Sequence, residues 1–139
     1  MELKNIVAIN GKPGLYEIKA QSKSGIIVES LIDAKKFPVS ATHNISALNE
    51  IAIYTYEEEM PLRLILKSIS EKENGNESIN PKENSKLLTS YFREILPNFD
   101  EERVYISNIK KILQWYNLLV SKKFDFSLIK EEDEAAEEA

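Results

Sequence analysis

The sequence predicts an α+β protein with its strands first and its helices after, and three observations carry that expectation. Residues 6–56 hold short, β-branched apolar runs punctuated by Gly, Pro, Asn and Ser. Beyond Glu57-Glu58-Glu59 the apolar spacing changes from alternation to the i, i+3, i+4, i+7 recurrence of an amphipathic helix. The composition, 42% hydrophobic and 29% charged, lies at globular averages, so most of the chain is expected to fold.

The strands are taken in order. Ile6-Val7-Ala8-Ile9 is short and apolar and ends at Asn10-Gly11-Lys12-Pro13-Gly14, a dense cluster of turn residues. Residues 15–21 alternate, with Tyr16, Ile18 and Ala20 on one face and Glu17 and Lys19 on the other. Ser22-Lys23-Ser24-Gly25 supplies a tight hairpin turn into the strand Ile26-Ile27-Val28-Glu29-Ser30-Leu31. After Asp33-Ala34-Lys35-Lys36, Phe37-Pro38-Val39 reads as a short edge strand, where proline is tolerated. A single helical turn at Ser46-Ala47-Leu48 precedes Ile51-Ala52-Ile53-Tyr54-Thr55, the expected closing strand. Five short strands with these connections predict a small SH3-like five-stranded antiparallel β-barrel. The alternative is an open antiparallel sheet covered by the downstream helices.

Three helices follow. Pro61 suits a first helical turn, with Leu62, Ile65, Leu66 and Ile69 as its apolar stripe and the three glutamates at its positive end. Residues 71–78 are polar and read as a linker. Asn80-Pro81 predicts the second helix start, and its stripe is Leu87, Leu88, Tyr91, Phe92 and Ile95. Asp100 is the expected cap of the third, with Tyr105, Ile109, Ile112, Leu113, Tyr116, Leu119 and Val120 as its stripe. Lys122 and Lys123 fall in its last turn, and residues 124–129 form an apolar coda, expected as a strand or extended segment packed on the body. The resulting division is a barrel module over residues 1–57, a connecting helix over 58–73, a small helical domain over 79–130 and a disordered acidic tail over 131–139.

The net charge of −5 is not spread evenly. Residues 1–70 balance eight basic against eight acidic side chains, and residues 71–130 balance ten against nine. Residues 131–139 hold six acids and no base, so the negative excess sits in the tail and the body is neutral. Such a body does not recommend nucleic acid, whose phosphates favour a basic stripe. The chain has no cysteine, which favours a reducing compartment. It shows neither a signal-peptide pattern nor an apolar run near the roughly 18 residues of a membrane span, so a cytoplasmic protein without a membrane partner is expected.

Chemistry-bearing constellations are sparse. His43 is the single histidine, too few for the ligand set of a zinc site or for a supported catalytic triad. The Gly11-Lys12-Pro13-Gly14 turn lacks the longer glycine loop, the Lys-Ser/Thr pair and the following helix of a phosphate-binding loop. No catalytic, metal-ligating or cofactor-binding residue is expected, and the chain is read as non-enzymatic. Candidate contacts are instead the aromatics Tyr16, Phe37, Tyr54 and Tyr56, and, on the last helix, Lys110, Lys111, Trp115, Lys122 and Lys123.

Three stretches carry a resemblance. Ile9-Asn10-Gly11-Lys12-Pro13-Gly14-Leu15-Tyr16, then Gly25-Ile26-Ile27-Val28-Glu29-Ser30-Leu31, then Ser46-Ala47-Leu48 with Ile51-Ala52-Ile53-Tyr54-Thr55, resemble an uncharacterised bacterial family catalogued as a domain of unknown function. Tyr91-Phe92-Arg93-Glu94-Ile95-Leu96-Pro97 and Ile109-Lys110-Lys111-Ile112 through Trp115-Tyr116 resemble its second half. The resemblance implies an SH3-like N-terminal domain joined to a small helical one, and no activity. The functional expectation is an interaction module for protein or peptide. The alternative is a nucleic-acid-associated regulator using the lysines of the last helix, together with Lys12, Lys35 and Lys36, under an autoinhibitory acidic tail.

Overall fold

Alternation along the first strands decides how the molecule is layered. The structure, a computed structural model, describes residues 2–40 and 44–129. His43 and the acidic tail, with the expectations attached to them, lie outside the described residues. The first five strands are β1 (Ile6–Ile9), β2 (Tyr16–Ser22), β3 (Gly25–Ser30), β4 (Lys36–Ser40) and β5 (Ile45–Ala47). They form one antiparallel sheet in the order β4-β3-β2-β1-β5. Gly25 faces Ser40 across the β3–β4 pair, and a Cβ there would fall 2.1 Å from the Val39 carbonyl oxygen. Glycine is what lets these two backbones approach.

Successive side chains of a strand point to opposite faces. From β1, Val7 and Ile9 join Tyr16, Val28 and Val39 in a small core made of sheet residues alone, with Ile18, Ile26, Phe37, Ile45 and Ala47 packed around them. Ile6 turns the other way and, with Leu15, Leu31 and Leu48, enters a larger core shared with all three helices.

The fifth strand is not the expected one. Residues 45–47, within the stretch read as polar with a helical turn, pair with β1 through Val7–Ala47, Ala8–Ser46 and Ile9–Ile45. The 3-10 turn falls later, at Leu48–Glu50. Ile51-Ala52-Ile53-Tyr54-Thr55 leaves the sheet: β6 (Ala52–Tyr54) pairs only with β7 (Glu59–Pro61) in a two-stranded ribbon. Alternation identifies a strand but not its partner, and a local turn supplies the nearer one. Thr55 Oγ1 accepts from the Glu58 N–H at 2.9 Å, folding the chain back on itself. The glutamates therefore occupy a turn and a strand start rather than the helix entry.

The helices are α1 (Leu62–Glu73), α2 (Ser85–Ile95) and α3 (Ile106–Ser121). Leu62, Ile65, Leu66 and Ile69 of α1 are buried as their spacing requires. It ends at Asn74 in the left-handed conformation, φ 55°. Two predicted helix starts move. Asn80 accepts from the Lys82 N–H at 2.9 Å in a side-chain-stabilised turn, and the cap of α2 is Asn84, which accepts from the Leu87 N–H at 2.9 Å. Asp100 likewise organises a turn by accepting from the Glu102 N–H at 3.0 Å, and α3 begins six residues later. Asn and Asp favour both settings for the same reason, a short acceptor that reaches backbone N–H two or three residues on.

Leu87 and Tyr105, placed on apolar stripes by spacing, are exposed. Lys122 and Lys123 lie just past the end of α3 instead of in its last turn. The coda forms a 3-10 turn, Phe126–Leu128, with Phe124, Phe126 and Ile129 buried against the helices. The polar stretch after α1 is tied to α3: Tyr116 OH donates to the Asn76 carbonyl at 2.6 Å and the Ser78 N–H donates to Asn117 Oδ1 at 2.7 Å.

Candidate functional site

A groove runs between the β1–β2 turn, the ribbon and the N-terminal half of α3. Its larger part, about 640 Å³, is lined by the turn residues Asn10 to Gly14, by Asn44, Ile45 and Ser46, and by Lys111, Gln114 and Trp115 of α3. Its smaller part, about 260 Å³, is more apolar, with Ile53 and Tyr54 of the ribbon facing Val104, Asn108 and Ile112. Ile51, Lys111 and Trp115 border both parts, so the two lie side by side. The i, i+4 spacing puts Lys111 and Trp115 on one helical face.

Local hydrogen bonds hold the turn as the rim of this groove. The Asn10 N–H donates to the Asn44 carbonyl at 2.9 Å and the Lys12 N–H to the Ile9 carbonyl at 3.0 Å. Tyr16 OH reaches back to the Pro13 carbonyl at 3.0 Å. Gly14 has φ +78°, and a Cβ there would fall 2.5 Å from Ile32 Cδ1 and 3.8 Å from Leu118 Cδ2. The turn thus closes between the loop after β3 and α3, a place that only the smallest residue fills without displacing a neighbour.

The opposite end is set by the ribbon. The Asp100 N–H donates to the Tyr54 carbonyl at 3.0 Å and the Tyr56 N–H to the Asn98 carbonyl at 2.9 Å, joining the ribbon to the segment before α3. Arg103 stacks 4.5 Å from the Tyr54 ring centroid and pairs through Nε with Asp100 Oδ2 at 2.9 Å. That hydrogen bond to the guanidinium holds the Asp100 carboxyl below its ordinary range and makes Arg103 harder still to deprotonate. Lys12 lies 5.1 Å above the Phe37 ring and Lys111 lies 6.0 Å from that of Trp115. Among the described residues no group of three or more His, Cys, Asp or Glu is arranged to hold a metal ion. No helix among them is long and apolar enough to cross a membrane.

The candidate residues from the sequence separate into those the fold gathers and those it disperses. Lys111, Trp115 and Tyr54 line the groove. Tyr56 is exposed on the outside of the ribbon, its hydroxyl accepting from the Glu101 N–H at 3.4 Å. Tyr16 is buried, edge-on to the partly buried Phe37 with centroids 5.5 Å apart, so both rings pack in the sheet core and line neither part of the groove. Lys110 sits beside Lys111 but lines neither part of the groove. Lys122 lies eleven residues beyond Lys111, about 16 Å along the axis at helical rise, and it and Lys123 line neither part of the groove. Sequence reading missed Arg103, Gln114, Asn108 and Ile51, and treated Asn10 to Gly14 as a plain turn. No local signal marks them; they become a site only through the docking of turn, ribbon and helix.

Comparison with known proteins covers both halves of the chain. A family model described as Domain of unknown function (DUF5606) matches residues 3–48, and a second, Domain of unknown function (DUF6852), matches residues 51–119. A solution NMR structure of a protein from Bacteroides vulgatus, from a structural genomics consortium, is 37% identical to this chain. The likeness covers 95% of this chain and 98% of that one with a TM-score of 0.71. The chain belongs to an uncharacterised bacterial family. No curated protein matches it. The two family models meet at the Leu48–Glu50 turn, yet the groove draws Asn10 to Gly14 from the first and Lys111 to Trp115 from the second. The candidate site therefore draws on both matched segments.

Proposed function

We propose that this protein is a non-enzymatic interaction module that holds a peptide segment of a partner protein in the groove along α3. The carrying observation is that Trp115 and Lys111 stand at the junction of a polar cleft and an apolar one. Binding sites of this kind combine an apolar body with a few convergent polar groups, and an indole at such a junction is a frequent anchor. Asn10, Asn44, Ser46 and Gln114 offer donors and acceptors for a peptide backbone, and Ile51, Ile53, Val104 and Ile112 offer an apolar seat.

We also read the five-stranded sheet as a small SH3-like barrel. Three observations support this reading. The strand order is β4-β3-β2-β1-β5, with a 3-10 turn directly after β5. One face of the sheet buries Val7, Ile9, Tyr16, Val28 and Val39 with no helix residue among them. Ile45, from one end of the strand order, lines the same cavity as Val39 and Ser40 from the other end.

Contact with nucleic acid fits less well, because of the lysines on which it would rest only Lys12 and Lys111 line the groove. The test is to pan a random peptide library on the immobilised full chain and titrate the recovered peptides into ¹⁵N-labelled protein. The expected result is shift changes concentrated at Ile51, Ile53, Lys111 and the Trp115 indole N–H. Recovered peptides that perturb another surface, or an oligonucleotide that perturbs these residues when no peptide does, would overturn the reading.

A further inference from the structure

We infer that the groove selects an acidic segment: a glutamate or aspartate of the partner drawn to the basic side chains Lys12 and Lys111 that line its larger part, with an adjoining apolar residue in the cleft of Ile51, Ile53, Val104 and Ile112. This deepens the peptide-groove reading and rests on it.

The argument is one of charge complementarity. The chain carries 23 acidic residues, yet no carboxylate lines either part of the groove, while Lys12, Lys111 and Arg103 do. Arg103 is already engaged, since Asp100 holds it at 2.9 Å and Glu59 adds to the field around it. Lys12 and Lys111 differ in kind. Their recorded partners are ring faces, Phe37 at 5.1 Å and Trp115 at 6.0 Å, and neither makes an ion pair with a described residue. An ammonium resting on an aromatic face keeps N–H donors for an incoming carboxylate, and the ring holds its stem in place. Lys12 comes from the segment matched by one family model and Lys111 from the segment matched by the other, so both halves of the chain contribute to the basic lining.

The apolar seat gives the second component. The smaller cleft is lined by Ile51, Ala52, Ile53, Val104 and Ile112 alongside the Tyr54 and Trp115 rings, and its volume of about 260 Å³ suits a side chain rather than a whole ligand. Because Lys111 and Trp115 border both clefts, the acidic and apolar residues of the partner are expected to be neighbours in its sequence.

Trp115 is the only tryptophan, so intrinsic fluorescence of the full chain reports on the groove directly. The probe is a short glutamate-rich peptide carrying a single leucine, compared with a lysine-for-glutamate counterpart, an alanine-for-leucine counterpart and an oligothymidylate. The acidic leucine peptide is expected to shift the Trp115 emission and saturate. The lysine counterpart is expected to bind about tenfold more weakly or worse, and the alanine counterpart about fivefold more weakly. Lys12→Gln and Lys111→Gln are each expected to weaken the acidic peptide about threefold, with the backbone spectrum unchanged, and added salt is expected to weaken it further. Equal affinity for the lysine counterpart, or unchanged affinity in both variants, overturns the acidic selection while a saturating Trp115 response keeps the groove. Peptides that leave Trp115 unaffected and shift residues elsewhere overturn the groove itself. Preference for the oligothymidylate overturns the proposal in favour of nucleic acid. The same titration on a full chain with Glu131, Glu132, Asp133, Glu134, Glu137 and Glu138 replaced by their amides separates the remaining source. If the peptide binds only then, the chain's own tail is the occupant and the partner assignment fails.

Discussion

The two apolar cores differ in what closes them. Among the described residues, the sheet core buries Val7, Ile9, Tyr16, Val28 and Val39, all from strands within one family domain. The larger core takes Ile6, Leu15, Leu31 and Leu48 from that domain and adds buried side chains from α1, α2, α3 and the coda. Five buried side chains offset little of the conformational entropy of ordering a segment of about 45 residues. The sheet therefore depends on the helices through Ile6 of β1 and through Leu15, Leu31 and Leu48, which flank its strands. Leu48 ends the match to the first family model and is 0% exposed within the shared core, so the boundary between matches abuts one continuous core.

The strongest way to break this comparison is to cut into the shared core from the sheet side. Leu48→Ala and Leu66→Ala in α1 are each expected to destabilise the whole chain by about 3–5 kcal/mol, because both leave a cavity among buried neighbours. Urea denaturation followed by circular dichroism for the helices and by sheet amide signals should give one coincident transition for each variant. Two separated transitions after Leu48→Ala would show that the domains fold independently. Val28→Ala, in the sheet core, removes less apolar volume and should cost about 1–2.5 kcal/mol, again in a single transition.

What the sequence disclosed follows the same division. Contacts between neighbours in sequence were readable: the apolar strand at residues 6–9, the hairpin at Lys23-Ser24 and the stripe Leu62, Ile65, Leu66, Ile69 appear where expected. The alternation expected over 15–21 is instead broken by a register shift between Ile18 and Ala20, which pairs Ile18 with Val28 but Ala20 with Ile27. Choices among partners were not. The strand at Ala52–Tyr54 was recognisable as a strand, but its pairing with Glu59–Pro61 depends on the Thr55 turn, and β5 is too short for its alternation to stand out. Asn80 and Asp100 were mistaken for caps because turn and cap use the same side-chain acceptor. In the groove, Lys111 and Trp115 were legible through their helical spacing, whereas Arg103 and Ile51 gain meaning only from long-range docking.

A smaller effect sharpens the comparison at the rim where the two domains touch. Gly11 and Gly14 have similar positive φ, +84° and +78°, so alanine meets comparable backbone strain at either, about 1 kcal/mol. They differ in surroundings: nothing lies within 4 Å of a Cβ at Gly11, while one at Gly14 meets Ile32 Cδ1 at 2.5 Å. Gly14→Ala is expected to cost more than Gly11→Ala by up to about 1 kcal/mol, the excess being limited because the exposed Ile32 side chain can move. It should also change the emission of Trp115, as the turn moves against α3. Equal stabilities and an unchanged emission would mean that the turn is not held between the two domains.

The last prediction concerns acid, and it places a sensitivity on the helical side of the groove. The Arg103 guanidinium, by hydrogen bond, holds the Asp100 carboxyl below its ordinary range. In the folded state Asp100 therefore gives up its proton more readily than in the unfolded chain. Its contribution to stability is fully present above the ordinary carboxylate range, near pH 4, and is lost as pH falls through the lowered folded value. Asp100→Asn cannot form the charged contact at any pH. Urea midpoints of the parent and of Asp100→Asn should then be separated by a constant gap at neutral pH that narrows below about pH 4. The same contact fixes Arg103 over Tyr54, so the apolar cleft should loosen over the same interval, reported by the ring signals of Tyr54. A gap that stays constant down to the acid limit would mean that the Asp100–Arg103 pair does not anchor this end of the groove.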